Sequence, residues 1–172
     1  MAETANDNFR ILITGGSGFL GRSLALQLAN RYPRWKIDAL DVLYPDEHLD
    51  QRLDMFIHAD IRYKESVDTA FDNYHPDLVV HTAGIVPGRQ FRYSTKDEDW
   101  ERVRRVNLDG TKNVLHATMA SGCTRFIYTS SVTAIIDDLD HDYHNMDEST
   151  PTGLATLHYG RSKGLAEAFV LS

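Results

Sequence analysis

Apolar positions in this chain fall into short unbroken runs and into helical stripes, and the two alternate along its length. Residues 9–14 contain the run Ile11, Leu12, Ile13 and read as a buried strand. Residues 19–30 place Leu20, Leu24, Ala25 and Leu28 at helical spacing, and Pro33 closes that helix. A second strand covers residues 36–42 and carries Asp41 near its end, a third covers 54–59, and 65–74 reads as a short helix. Pro76 and Asp77 lead into Leu78, Val79, Val80 and His81, a fourth strand with β-branched residues. Residues 97–121 hold Val103, Val106, Val114, Leu115 and Met119 as a long helix. Residues 124–131, rich in β-branched and aromatic side chains, give a fifth strand.

Strands alternating with helices predict an α/β domain whose parallel sheet is covered on both faces. Right-handed crossovers then make it a doubly wound, Rossmann-type sheet. Residues 1–8 are polar and partly acidic, and are expected to form a flexible tail ahead of one domain over 9–172. Two long irregular stretches, 84–96 and 134–156, follow the fourth and fifth strands. That order puts them at the carboxyl edge of the sheet, where such folds bind ligands.

Composition changes this picture little. A chain of 172 residues with 42% hydrophobic side chains suits one domain with a real core. A net charge of -7 argues against nucleic acid bound through a general basic surface. No run approaches the roughly 18 apolar residues of a membrane span, and the N-terminus is unlike a signal or transit peptide. Cys123 is the single cysteine, so no internal disulfide forms, which fits a reducing compartment and a cytoplasmic location.

The chemistry sits at two places. Gly16, Gly18 and Gly21 fit G-x-G-x-x-G between the first strand and the first helix, with Phe19 and Leu20 inside it; Gly15, Gly18 and Gly21 fit the looser G-x-x-G-x-x-G. Glycine lets the strand turn sharply and lets a pyrophosphate approach the backbone. The helix that follows aims free N–H groups and its positive dipole end at the phosphates. Asp41 ends the next strand about 20 residues on, as a dinucleotide site requires. Its carboxylate suits the ribose hydroxyls of NAD and repels the 2′-phosphate of NADP. Val42, Leu43, Tyr44 and Pro45 follow without a basic residue, so NAD is the expected cofactor.

Near the other end, Tyr159 and Lys163 stand four residues apart in a segment of helical period, on one helix face. A phenol with an ordinary pKa of about 10 is a poor base at neutral pH. A nearby ammonium favours phenolate, so the pair can act as a general acid or base.

Taken together, Thr14 to Gly21, Asp60 and Ile61, His81 to Gly84, Asn107 to Thr111, Tyr128 to Ser131, and Tyr159 with Lys163 resemble extended short-chain dehydrogenases/reductases. Val80 to Ala83, Phe126 to Ser131, and His144 to Glu148 with Pro151 are most similar to the 3β-hydroxysteroid dehydrogenase group, which includes sterol-4α-carboxylate 3-dehydrogenases. The resemblance spans about residues 10 to 171. It implies Tyr159 as the proton-exchanging residue, Lys163 as the group that lowers its pKa and holds the nicotinamide ribose, and Ser131 as the hydrogen-bond partner of the same substrate oxygen. Ser131 is preferred to its neighbour Ser130 by alignment on Phe126, Ile127 and Tyr128. It also implies Asp60 and Ile61 beside the adenine, Thr82, Ala83 and Gly84 lining the cofactor through backbone, and Asn107 steadying the architecture at the cofactor. Gly84 departs mildly from the pattern, since many relatives carry Ala or Ser there.

The implied activity is NAD-dependent oxidation of a secondary alcohol, a 3β-hydroxysteroid or sterol, to a ketone. A nucleotide-sugar epimerase/dehydratase or a dihydroflavonol-type reductase would use the same triad. Relatives are roughly twice as long, so the C-terminal substrate domain is expected to be missing, and an inactive NAD-binding fragment stays open. Expected partners are a small alcohol or ketone and, in an open possibility, a second copy in a homodimer. The acidic stretch from Asp137 to His144, without thiolates, is expected to be a solvated loop and not a metal site. Arg89, Arg92 and Lys96 likewise read as part of a solvated loop, and Arg102, Arg104 and Arg105 as the outer face of the long helix.

Overall fold

A computed structural model describes residues 8–137 and 142–172. The elements run β1 (Arg10–Thr14), α1 (Phe19–Arg31), β2 (Lys36–Asp41), α2 (Glu47–Asp50), β3 (Met55–His58), α3 (Lys64–Phe71) and β4 (Leu78–His81). After a 3₁₀ turn at Arg89–Phe91, α4 (Asp97–Arg104) passes through a π-helical turn (Arg105–Gly110) into α5 (Thr111–Ala120). β5 (Phe126–Tyr128), α6 (Thr133–Ile136) and α7 (His158–Val170) complete the chain. No helix among the described residues is long and apolar enough to cross a membrane.

The five strands among the described residues are parallel, in the order β3-β2-β1-β4-β5. The order reverses between β1 and β4, the switch point of a doubly wound sheet. The expected Rossmann-type fold is therefore the observed one. The chain divides into two compact units, one of Met1–Ala83 with Asn113–Tyr128 and one of Gly84–Lys112 with Thr129–Ser172.

The first unit holds the whole sheet. Ile11, Leu12 and Ile13 of β1 are fully buried, as a central parallel strand requires. Ile11 and Ile13 cluster with Ile37, Val80, Ala25 of α1 and Leu49 of α2, and Phe9, Leu24, Leu28 and Trp35 pack against that cluster. α1 is thus held by its Leu24, Ala25 and Leu28 stripe. The fifth strand is shorter than the 124–131 expected, because its ladder with β4 has three pairs, Val79 with Phe126, Val80 with Ile127 and His81 with Tyr128. α2 and α6, four residues each, lie in stretches without a legible period.

One buried carboxylate interrupts the apolar sheet. Asp38, in the middle of β2, is completely buried. Its Oδ2 accepts from Tyr74 Oη at 2.6 Å and from Arg10 Nη1 at 2.8 Å. Arg10 also reaches Asp54 at 2.9 Å, and its backbone N–H donates to Asp77 at 2.8 Å. Burial raises the Asp38 pKa, with the Tyr74 hydrogen bond and the Arg10 charge opposing it. Arg10→Met leaves that carboxylate buried without its cation and is expected to cost about 3–5 kcal/mol in urea unfolding. A loss under about 1 kcal/mol would show the network to be dispensable.

Candidate functional site

In the first unit, the residues expected to hold a dinucleotide gather at the carboxyl ends of β1 to β4. Gly15 follows β1 with φ +70°, and its N–H donates to the Leu40 carbonyl at 2.8 Å. A Cβ there would lie 2.7 Å from the Ala83 backbone, so both the dihedral and the space demand glycine. A Cβ on Gly21 would lie 2.2 Å from the Gly15 carbonyl oxygen, so the start of α1 can press against the turn only because Gly21 has no side chain. Gly16 and Gly18 complete the turn, and the Gly18 N–H donates to Gly15 O at 3.0 Å.

α1 begins at Phe19, with Leu20 in its first turn. It has no side-chain cap and no acidic residue in that turn. Its first amides are available to an anion, with the dipole in their favour. The Ser17 hydroxyl is buried with no partner. Such a group costs free energy unless a ligand or water bonds it. An open cradle, free amides and an orphaned hydroxyl fit a pyrophosphate.

Asp41 is fixed beside this turn. One carboxylate oxygen accepts from Ser17 N and the other from Leu43 N, both at 3.0 Å. Thr82, just past β4, donates through both N–H and hydroxyl to Thr14 O, at 3.1 and 2.7 Å. Asp60 accepts from its neighbour Arg62, and the buried Ile61 offers its carbonyl to Asn113 at 2.9 Å.

The second unit gathers Gly84, Asn107, Ser131, Tyr159 and Lys163. Asn107 lies in the π-helical turn, an irregularity frequent at functional sites. Its amide clamps the Ile85 backbone in both directions, at 2.8 and 2.9 Å, and donates to Ser162 at 3.1 Å. Ser162 in turn donates to the Tyr159 carbonyl at 2.7 Å. A Cβ on Gly84 would lie 3.3 Å from Asn107 Oδ1.

Tyr159 and Lys163 lie on α7, one helical turn apart. Lys163 is buried, and its Nζ donates to the Thr129 carbonyl at 2.6 Å. Burial pulls its pKa down to about 8, against the attraction of Glu167. Ser130 donates its hydroxyl to Glu167. Ser131 Oγ instead accepts from Thr133, at 2.7 Å from the hydroxyl and 3.3 Å from the backbone N–H.

Two residues expected to be solvated are not. Asp137, at the start of the acidic stretch, is buried and bound by both terminal nitrogens of Arg92. Residues 138–141 of that stretch lie outside the described residues. Neither Arg92 nor Asp137 carried a pattern in the sequence. The one local signal was Gly160 beside Tyr159, a glycine in a helix where something must come close.

A Rossmann-type sheet with this glycine turn, in a chain whose last helix carries Tyr-x-x-x-Lys, defines an extended short-chain dehydrogenase/reductase. Within that class, the chain belongs to the 3-beta hydroxysteroid dehydrogenase/isomerase family, whose model matches residues 12–172. Mouse 3 beta-hydroxysteroid dehydrogenase type 7 is 31% identical over 171 residues, covering 93% of this chain and 43% of the mouse protein. The 3 beta-hydroxysteroid dehydrogenase/Delta 5-->4-isomerase of Mycobacterium tuberculosis is 33% identical over 166 residues, covering 95% of this chain and 42% of its own. Among solved structures, the Thermus thermophilus UDP-glucose 4-epimerase complex with NAD has a TM-score of 0.78 and 27% identity. That match covers 95% of this chain and 50% of the epimerase. The chain spans less than half the length of these curated relatives.

Proposed function

We propose that the protein is an NAD-dependent dehydrogenase that oxidises a secondary alcohol, a 3β-hydroxysteroid or sterol, to its ketone. The observation that carries this reading is Tyr159 and Lys163 one turn apart on α7, in the same compact unit as Ser131, in a member of this family. A bound nicotinamide nucleotide supplies the acceptor for the hydrogen leaving the alcohol carbon. Tyr159 Oη takes the hydroxyl proton, and Ser131 donates a hydrogen bond to the same oxygen. Lys163 holds the nicotinamide ribose and favours the phenolate. The turn amides, Gly15 to Gly21, and the Ser17 hydroxyl hold the pyrophosphate. Asp41 accepts the adenosine ribose hydroxyls, Asp60 and Ile61 flank the adenine, and Thr82, Ala83 and Gly84 line the cofactor through backbone. Asn107 steadies Ile85 and, through Ser162, α7.

The NAD cofactor of the epimerase and the names of the steroid dehydrogenases support this reading. Calorimetric titration tests the cofactor choice. NAD is expected to bind at least about tenfold more tightly than NADP, roughly 1.4 kcal/mol, and Asp41→Ala to erase the gap. Equal affinity of the unaltered protein for both would overturn the role of Asp41.

A further inference from the structure

The first turn of α7 has an unusual support. Its N-cap residue, Leu157, offers no side-chain acceptor. A remote carboxylate does so instead: the Gly160 N–H donates to Asp137 Oδ2 at 2.9 Å, in a buried bond. The Asp137 carbonyl meanwhile accepts from Thr156 N and Leu157 N, both at 2.9 Å. Asp137 therefore binds the chain just before the helix and the third residue within it. The Gly160 N–H is one of the amides a helix start leaves unpaired.

The approach is too close for any side chain on Gly160. A Cβ there would lie 2.2 Å from the Thr133 carbonyl oxygen and 2.3 Å from Asp137 Cβ. Both of those atoms belong to α6 or its end. At its other end α6 is tied to Ser131, through the Thr133 hydroxyl and N–H. One short helix thus links Ser131 to the turn that carries Tyr159.

Arg92 completes the arrangement. Its two terminal nitrogens grip both oxygens of Asp137, which is 3% exposed. A fork of this kind fixes orientation as well as charge. The hydrogen bonds to Asp137 raise the Arg92 pKa against burial, and the Asp137 charge adds to them.

We infer that Arg92 and Asp137 are positioning residues for Tyr159: Arg92 orients the Asp137 carboxylate, Asp137 caps the first turn of α7, and α6 keeps Ser131 in register with that turn. This role rests on the acid/base reading of Tyr159 and adds two residues to it. It also makes the loop after β4 a determinant of rate.

The test compares Arg92→Met with the double variant Arg92→Met/Asp137→Asn in the whole protein. The single variant leaves a buried carboxylate without its cation and can lose stability for that reason alone. The double variant removes that charge and keeps an amide oxygen for the Gly160 N–H. Two quantities are read: hydrogen exchange of the Gly160 amide without substrate, and the primary deuterium isotope effect on kcat with NAD and a 3β-hydroxysterol deuterated at its carbinol carbon.

In Arg92→Met, Gly160 exchange is expected to speed up. kcat should fall between about tenfold and a hundredfold, with a larger isotope effect as the misplaced tyrosine makes chemistry limiting. The double variant should recover Gly160 protection and come within about threefold of the original kcat. A faster Gly160 amide with an unchanged isotope effect makes the pair structural only and overturns the inference. So does an unchanged Gly160 amide in Arg92→Met, or a double variant that stays slow although Gly160 is protected. If the unaltered protein oxidises no sterol while its Gly160 amide is protected, the acid/base reading itself has failed and the positioning role falls with it.

Discussion

Tyr159→Phe is expected to lower alcohol oxidation by about 10²–10⁴-fold, the usual contribution of a positioned acid or base. The substitution removes one oxygen and keeps the ring, so the half-buried packing at the first turn of α7 survives. The bonds around it are made by other groups: the Tyr159 carbonyl accepts from Ser162, and Gly160 N–H donates to Asp137. NAD affinity should stay within about twofold, since the pyrophosphate and adenosine contacts proposed above lie elsewhere in the chain. kcat measured beside a calorimetric Kd separates the two effects. A variant retaining more than a tenth of the original rate would move the acid/base role to another group.

Lys163→Met is expected to stabilise the fold while it disables the enzyme. A lysine with a pKa near 8 in place of 10.5 carries a cost of about 3 kcal/mol for its charged form in the native state. The hydrogen bond to Thr129 offsets roughly half of that. Methionine fills the same space without charge, so a gain of about 1–2 kcal/mol is expected at pH 6–7. The pH dependence has a definite sign. Below pH 8 the lysine is charged in both native and unfolded states, and the gain is at its full value. Between about pH 8 and 10.5 the native lysine has lost its proton and the unfolded one has not, so the original protein becomes more stable with rising pH and the gain shrinks. Thermal unfolding across pH 6 to 10 reads this directly. A variant less stable at pH 7, by an amount independent of pH, would show that burial of this ammonium carries no cost. Lost activity with gained stability is the trade-off of a group kept for function.

Much of the fold was legible because parallel strands write themselves as unbroken apolar runs. Ile11 to Ile13 and Leu78 to His81 are found where those runs stand. The glycine turn was legible for a different reason: Gly15 and Gly21 mark places where backbone meets backbone, and no other residue fits there. Tyr159 and Lys163 were visible through helical spacing together with the glycine turn and the motifs between them.

Polar groups whose burial depends on distant partners leave little pattern in the sequence. Asp38 and Arg10 are 28 positions apart, and Arg92 and Asp137 are 45 apart. A carboxylate with a bidentate guanidinium and one in open water look the same in a local pattern. Asp38 did leave a trace, as a charge between Ile37 and Ala39 in the middle of β2. Asp137 left none, since it opens a run of acidic residues in the sequence. The extent of β5 depended on its short ladder with β4, which the β-branched run through Ser131 does not reveal.

The proposed reaction removes hydrogen from an alcohol carbon with Tyr159 as the base. Mass spectrometry of the nicotinamide product after incubation with NAD and a 3β-hydroxysterol deuterated at its carbinol carbon tests it most directly. Reduced nicotinamide carrying one deuterium is expected, formed by the unaltered protein and lost in Tyr159→Phe. Unlabelled cofactor after incubation with the sterol, while a UDP-hexose is epimerised by the same preparation, would contradict it.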